Sequence, residues 1–156
     1  MNALLEQLAQ RLDLSAPYNC RLRLAFGHAC VQRASHLLVR DDVVQGLREF
    51  GAYLDGQLTP GDFDALCERV EQAARAHPGS ASIDGSQHAA VSATHALARA
   101  LRSHALEAAD YAAYAIVYAY GAYAVHEPSS FEQEHRAQCE LLDRLACVSA
   151  PTAVQR

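Results

Sequence analysis

Residues 87 to 125 constrain this chain more than any other stretch: QHAAVSATHALARALRSHALEAADYAAYAIVYAYGAYAV. Alanine recurs at almost every second or third position. Tyr111, Tyr114, Tyr118, Tyr120 and Tyr123 crowd the second half, and no charge falls between Asp110 and His126. A helix apolar on every side has no face to offer water and belongs at the centre of a fold. The uncharged run is shorter than the roughly 20 apolar residues a membrane span needs, so no membrane is expected. The stretch reads as two consecutive helices, broken near Ser103 and ending at Glu127-Pro128, buried as an Ala/Tyr-rich pair.

The rest of the chain keeps a helical period. Leu4, Leu5, Leu8 and Leu12 share one face, so Asn2 to Leu12 is a first helix closed by Ser15-Ala-Pro17. A second runs from Asn19 to Val39 on Leu22, Phe26, Ala29, Cys30, Ala34, Leu37 and Leu38. Asp41 or Asp42 then offers a carboxylate as N-cap. The third helix, Val43 to Leu54, buries Val43, Leu47, Phe50 and Leu54, and Gly56 stops it by taking the left-handed conformation without steric cost. Thr59-Pro60-Gly61-Asp62 combines a capping threonine, a proline at the first helical position and an early carboxylate, which starts the fourth helix.

His77 to Ser82 reads as the longest polar connector and the place for a mobile loop. Asp84 to Gln87, and Ser129 with Glu132 or Ser130 with Gln133, have capping-box spacing. The seventh helix uses Ala137, Leu141, Leu142, Leu145 and Val148. No strand pattern appears. The expectation is a single all-α domain over 1–148, of six to seven mostly antiparallel helices, with 149–156 a frayed tail.

The 156 residues leave room for a real core. The net charge of −5 argues against a nucleic-acid binder. Five cysteines, an odd number without C-x-x-C spacing, favour reduced thiols in the cytoplasm. Cys30, Cys67 and Cys147 fall on apolar faces, where thiols are inert; Cys20, beside Arg21, is the one to test. The N-terminus lacks a basic start followed by an apolar segment, so no secretion signal is expected.

Eight histidines raise the question of a metal. His88 and His95 are two turns apart, and His28 and His36 eight residues apart. Neither pair has the one-turn H-E-x-x-H spacing, and a Glu-x-x-His occurs once, at Glu132 and His135. No metal and no cofactor is expected. Nucleophile elbow, phosphate loop and dinucleotide fingerprint are all missing, so an enzyme is not expected. The tyrosines read as core residues packed by their rings and hydrogen-bonded at their tips. The stripe His88, Ser92, His95, Arg99 and Arg102 reads as a solvated helix face.

Charge is unevenly spread. Met1 to Arg40 carries five arginines and two acids, whereas Asp41 to Glu71 carries eight acids and two arginines. Such an acidic block steers a basic partner, although helix starts also attract carboxylates on their own account.

Three stretches together carry a resemblance: RLAFGHACVQRASHLL (Arg23 to Leu38), VVQGLREFGAYLDGQLTPGDF (Val43 to Phe63) and the alanine-rich pair HAAVSATHALARAL and ALEAADYAAYAIVYA. In pattern and order the chain resembles the all-helical immunity proteins of bacterial polymorphic toxin systems. The resemblance implies a non-enzymatic protein that binds a cognate toxin domain and keeps it inactive. The acidic block suggests a basic toxin such as a nuclease, met by Asp55, Asp62, Asp64, Glu68 and Glu71, with Tyr53 and Phe63 as anchors. A small helical ligand- or metal-binding module, and a homo-oligomeric helical scaffold such as a homodimer packed through its Ala/Tyr helices, are the alternative classes.

Overall fold

Helices Ser86–Leu101 and Ala105–Tyr118 form the hairpin against which the rest of the chain packs. In the computed structural model, which describes residues 1–76 and 86–149, they are the fifth and sixth of seven α-helices. Helices α1 (Ala3–Arg11), α2 (Cys20–Arg33), α3 (Asp41–Leu54) and α4 (Pro60–Arg75) precede α5 and α6, and α7 (Glu132–Ser149) follows. Among the described residues there is no strand, and the helices build one compact all-α domain. The connector 77–82, the capping box beginning at Asp84 and the tail after Ser149 lie outside the described residues.

Small side chains let the central helices meet closely. Ala93, Ala96, Leu97 and Ala100 of α5, with Ala105, Ala108, Ala109 and Ala112 of α6, are all buried. Helix α2 lies across the hairpin and touches α3, α5, α6 and α7. A Cβ added at Gly27 would stand 3.0 Å from the Cβ and 3.2 Å from the Cα of Ala100, so the α2–α5 crossing depends on that glycine. Phe26 and Phe50, fully buried, anchor the remaining side chains; each such burial contributes roughly 1.5–3 kcal/mol.

Three helix ends share one construction. Gly56, Ser103 and Asp13 have φ of 79°, 69° and 53°. Each donates its N–H back three residues while its successor donates back five: Gln57 to Ala52, His104 to Arg99, Leu14 to Ala9. This double bond satisfies the last carbonyls of α3, α5 and α1. Arg23 holds two of these corners together. Its Nε donates to Ser103 Oγ at 2.9 Å, and its Nη1 donates to the carbonyls of Leu14 and Ala16, each at 2.7 Å. Asn2 caps α1 by accepting from the Leu5 N–H, and its amide donates to the His135 carbonyl of α7. Thr59 caps α4 through the Asp62 N–H, as its sequence context predicts.

Several expectations are corrected. Burial in the central pair falls on the alanines: Tyr111 and Tyr118 are half-buried, while Tyr114, Tyr120 and Tyr123 are 40%, 80% and 89% exposed. Helix α6 stops at Tyr118, because Gly121 takes φ 137° and the chain continues as a 3₁₀ turn, Ala122–His126. Helix α2 stops at Arg33, and a 3₁₀ turn, Ser35–Leu37, delivers Leu38 to the core and leaves Val39 exposed. The N-cap of α3 is Arg40; Asp41 and Asp42 lie in the first turn, where the Asp42 carboxylate accepts from the Val43 N–H. Ser129 and Ser130 sit inside a 3₁₀ turn, Pro128–Phe131, so neither opens α7. Leu4 and Val148, assigned to apolar faces, are exposed, and so is Cys147.

Among the described residues no helix is long and apolar enough to cross a membrane.

Candidate functional site

Part of the acidic block lies at one corner, where the end of α3 turns through Gly56 into the start of α4. Each half of that turn contributes an aromatic residue. Tyr53 on the last turn of α3 and Phe63 on the first turn of α4 stack with centroids 3.9 Å apart and planes 14° apart. Phe63 leans on Phe50, 6.0 Å away, so the stack is rooted in the core while both rings stay half-buried. Around it stand Asp55, next to the turn, and Asp62 and Asp64, in the first turns of α4; all three are exposed. The start of α4 favours these carboxylates through its unpaired N–H groups.

The eight acids of the block do not share one fate. Arg102, in the turn just after α5, donates to Glu68 at 2.8 Å and to Glu71 at 2.7 Å. Arg75 adds a bond to Glu71 at 3.0 Å. The Arg102 hydrogen bond, seconded by its charge, holds the Glu71 carboxyl below the usual range, and the two carboxylates raise the Arg102 guanidinium. Arg69 pairs with Glu49, and Arg40 takes Asp42 in a two-point bond. Asp55, Asp62 and Asp64 form no ion pair among the described residues. Of the seven residues expected to bind a partner, the structure therefore brings Tyr53, Asp55, Asp62, Phe63 and Asp64 together as an open corner. Glu68 and Glu71 lie further along α4, already engaged by arginine.

A groove of about 600 Å³ between α2 and α3 adjoins the corner and reaches Asp55. His28, Gln32, His36 and Arg48 line it. The two histidines noted for their spacing therefore share a groove, although among the described residues no three His, Cys, Asp or Glu side chains stand close enough to hold a metal ion. His28 packs edge-on against Phe50, its centroid 5.1 Å away, and Gly51 leaves space for the ring. Burial lowers the His28 pKa below its ordinary 6.5, against the smaller opposing effect of Asp55. A lowered histidine pKa means that the unfolded chain binds the proton more readily than the folded one. Stability is then full above about pH 6.5 and is lost as pH falls through the folded value. His135 is lowered for the same reason. Urea midpoints should therefore fall between pH 7 and pH 5, and His28→Gln should flatten that fall; an unchanged slope would contradict the role given to His28.

The polar stripe of α5 is bound to its neighbours. His88 stacks on Tyr118 and His95 on Tyr111, with centroids 5.4 and 5.3 Å apart. Arg99 lies 3.4 Å from Glu107, and Arg102 crosses to α4. It is a laced helix face, with its tyrosine partners contributed by α6. All five cysteines are free. Cys30 is fully buried, and burial raises its thiol pKa far above the ordinary value, leaving it protonated and inert.

Comparisons with protein-family models, with characterised proteins and with solved structures find no match for this chain.

Proposed function

We propose that this chain is an immunity-type protein, which binds a cognate toxin domain of a bacterial polymorphic toxin system through the α3–α4 corner and holds it inactive. It would act in the cytoplasm of the producing cell, without catalysis and without a cofactor. The observation that carries the reading is the selective pairing of the acidic block: arginines engage Glu49, Glu68 and Glu71, while Asp55, Asp62 and Asp64, beside the Tyr53–Phe63 stack, form no ion pair among the described residues. A rooted aromatic pair ringed by open carboxylates offers a partner an apolar anchor with a charged rim. That is the arrangement in which a few central side chains supply most of the binding energy. The charge fits a basic partner such as a nuclease domain, and a specific contact would bury on the order of 1,600 Å² in total.

The test is a titration of the toxin domain with this protein and its variants. D62R/D64R should weaken binding by roughly 30- to 100-fold and flatten its salt dependence, since close charge pairs across interfaces are worth a few kcal/mol. Glu68→Gln, at a carboxylate already held by Arg102, should change affinity by less than about three-fold on the scale of an exposed pair. Equal affinity and equal salt dependence for D62R/D64R, with its helical spectrum and melting intact, would remove this corner from the interface.

A further inference from the structure

A second site lies on the far side of α6, where its last carboxylate meets a wall of rings. We propose that the pocket enclosed by α6, α7 and the 3₁₀ turns between them binds an organic ammonium ion. The pocket holds about 320 Å³, the small end of the roughly 300–1,000 Å³ typical of ligand sites. Asp110, Tyr114, Phe131 and His135 line it, Val125 and Pro128 add an apolar edge, and Met1 and Ala113 close its sides. Phe131 joins the other two rings. It meets Tyr114 edge-on with centroids 5.2 Å apart and tilts against His135 at 5.5 Å.

The chemistry of this lining selects the ligand. Ring faces carry negative potential and attract cations, most strongly where water is excluded. Asp110 supplies a formal negative charge beside them. It is half-buried and makes no hydrogen bond or ion pair among the described residues. The groups that act on it are the Met1 amino group, which attracts it, the His135 ring, which attracts it only when protonated, and Glu6 and Glu107, both repulsive. Neither the Met1 amino group nor His135 forms an ion pair with it among the described residues. Burial lowers the pKa of His135, so its ring is neutral near pH 7, which leaves the Met1 amino group as the cation acting on the carboxylate, from beyond ion-pair distance. An anion would meet repulsion from the carboxylate and the rings, offset in part by the Met1 amino group. A hard metal ion would need several oxygen ligands, and the pocket has one carboxylate. An alkylated ammonium matches the rest of the lining: its charge meets Asp110 and the rings, its methylenes meet Val125 and Pro128, and the Met1 amino group at the side alone opposes it.

A free small-molecule ammonium ion and the side chain of a partner's lysine share this chemistry. Choline represents the first and Nα-acetyl-lysine methylamide the second, with neutral 3,3-dimethylbutan-1-ol as the shape control for choline. Each is titrated into the protein while the ring signals of Tyr114, Phe131 and His135 are followed by NMR. At least one of the two ammonium probes should shift those signals and bind roughly ten-fold tighter than the neutral alcohol; the tighter of the two identifies the source. Asp110→Asn should abolish the preference while leaving melting unchanged or raised, because it removes a half-buried unpaired charge. Tyr114→Leu, at a partly exposed ring, should weaken the ammonium probe more than the alcohol. Equal binding of charged and neutral probes, or unmoved ring signals at tens of millimolar probe, would overturn the assignment.

Discussion

Gly27→Val should cost about 3 kcal/mol or more, the upper range for forcing extra carbons into a packed core. In a domain of this size that lowers the melting temperature by roughly 6–12 °C. The cost has a specific origin. A single Cβ at position 27 already meets the Ala100 Cβ at 3.0 Å, and the next atom behind it is backbone, the Ala100 Cα at 3.2 Å. A flexible side chain gives way; a helix backbone buried between α2 and α6 does not. The α2–α5 crossing would have to open, and with it the contacts of Phe26 and Leu97, both fully buried. Gly27→Ala should show a smaller loss, of about 1–2 kcal/mol. Ala100→Gly in the Gly27→Ala background should return part of it, since the two Cβ atoms compete for one space. Gly61→Ala is the control: its Cβ would find only Thr59 Oγ1, at 3.9 Å, so removing a helical glycine there should be neutral or mildly stabilising. Thermal unfolding followed by circular dichroism measures all four. A Gly27→Val protein as stable as the parent would contradict the crossing.

Arg33→Ala should be the next most damaging change, at about 2–3 kcal/mol. Arg33 of α2 grips Glu134 of α7 through two bonds of 2.8 Å, from Nε and Nη2 to the two carboxylate oxygens. The carboxylate side is buried, at 6% accessible, while the arginine side is 40% accessible. Removing the arginine strands a charge away from water, which costs about 3–5 kcal/mol in a fully buried pair; the exposed arginine side admits some water and reduces the figure. Gln138, one turn further along α7, is fully buried and donates to the Ala109 carbonyl of α6 at 2.8 Å. Arg33 and Gln138 thus fasten α7 at two successive turns, so the loss should appear as weakened docking of that helix. Adding Glu134→Gln to Arg33→Ala removes the stranded charge and should recover more than half of the stability. Chemical denaturation of the single and double variants measures both, and an Arg33→Ala protein within 0.5 kcal/mol of the parent, the range of an ordinary surface change, would show that the pair carries little.

The helix starts and stops with local causes were legible in the chain. Thr59-Pro60 opens α4, Gly56 closes α3, and the break near Ser103 separates α5 from α6. Ser103 and Asp13 adopt the left-handed conformation without being glycine, and what holds the Ser103 corner is Arg23, a residue 80 positions away. No local pattern reports a distant clamp. The tyrosines were misplaced for a related reason. Both alanine and tyrosine count as apolar in a periodic reading, yet only alanine fits where helix axes approach closely, so the rings of α6 were displaced to its rim against His88 and His95. At the candidate site, the charge block and the aromatic pair Tyr53 and Phe63 were visible as residue types. The division of that block was not visible. Glu68 and Glu71 are matched by Arg102 only because α4 and α5 pack side by side, across more than thirty residues of chain. The Asp110 pocket is of the same kind, since Phe131 and His135 reach α6 only through the turns that follow its early end.

The most direct test of the proposal is growth of cells that produce the proposed cognate toxin domain, with and without this chain. Wild-type protein should restore growth and co-purify with the toxin at one-to-one stoichiometry, and D62R/D64R, folded and equally abundant, should fail to do either. Growth arrest that persists in the presence of abundant wild-type protein, with no complex recovered, would contradict the immunity reading itself.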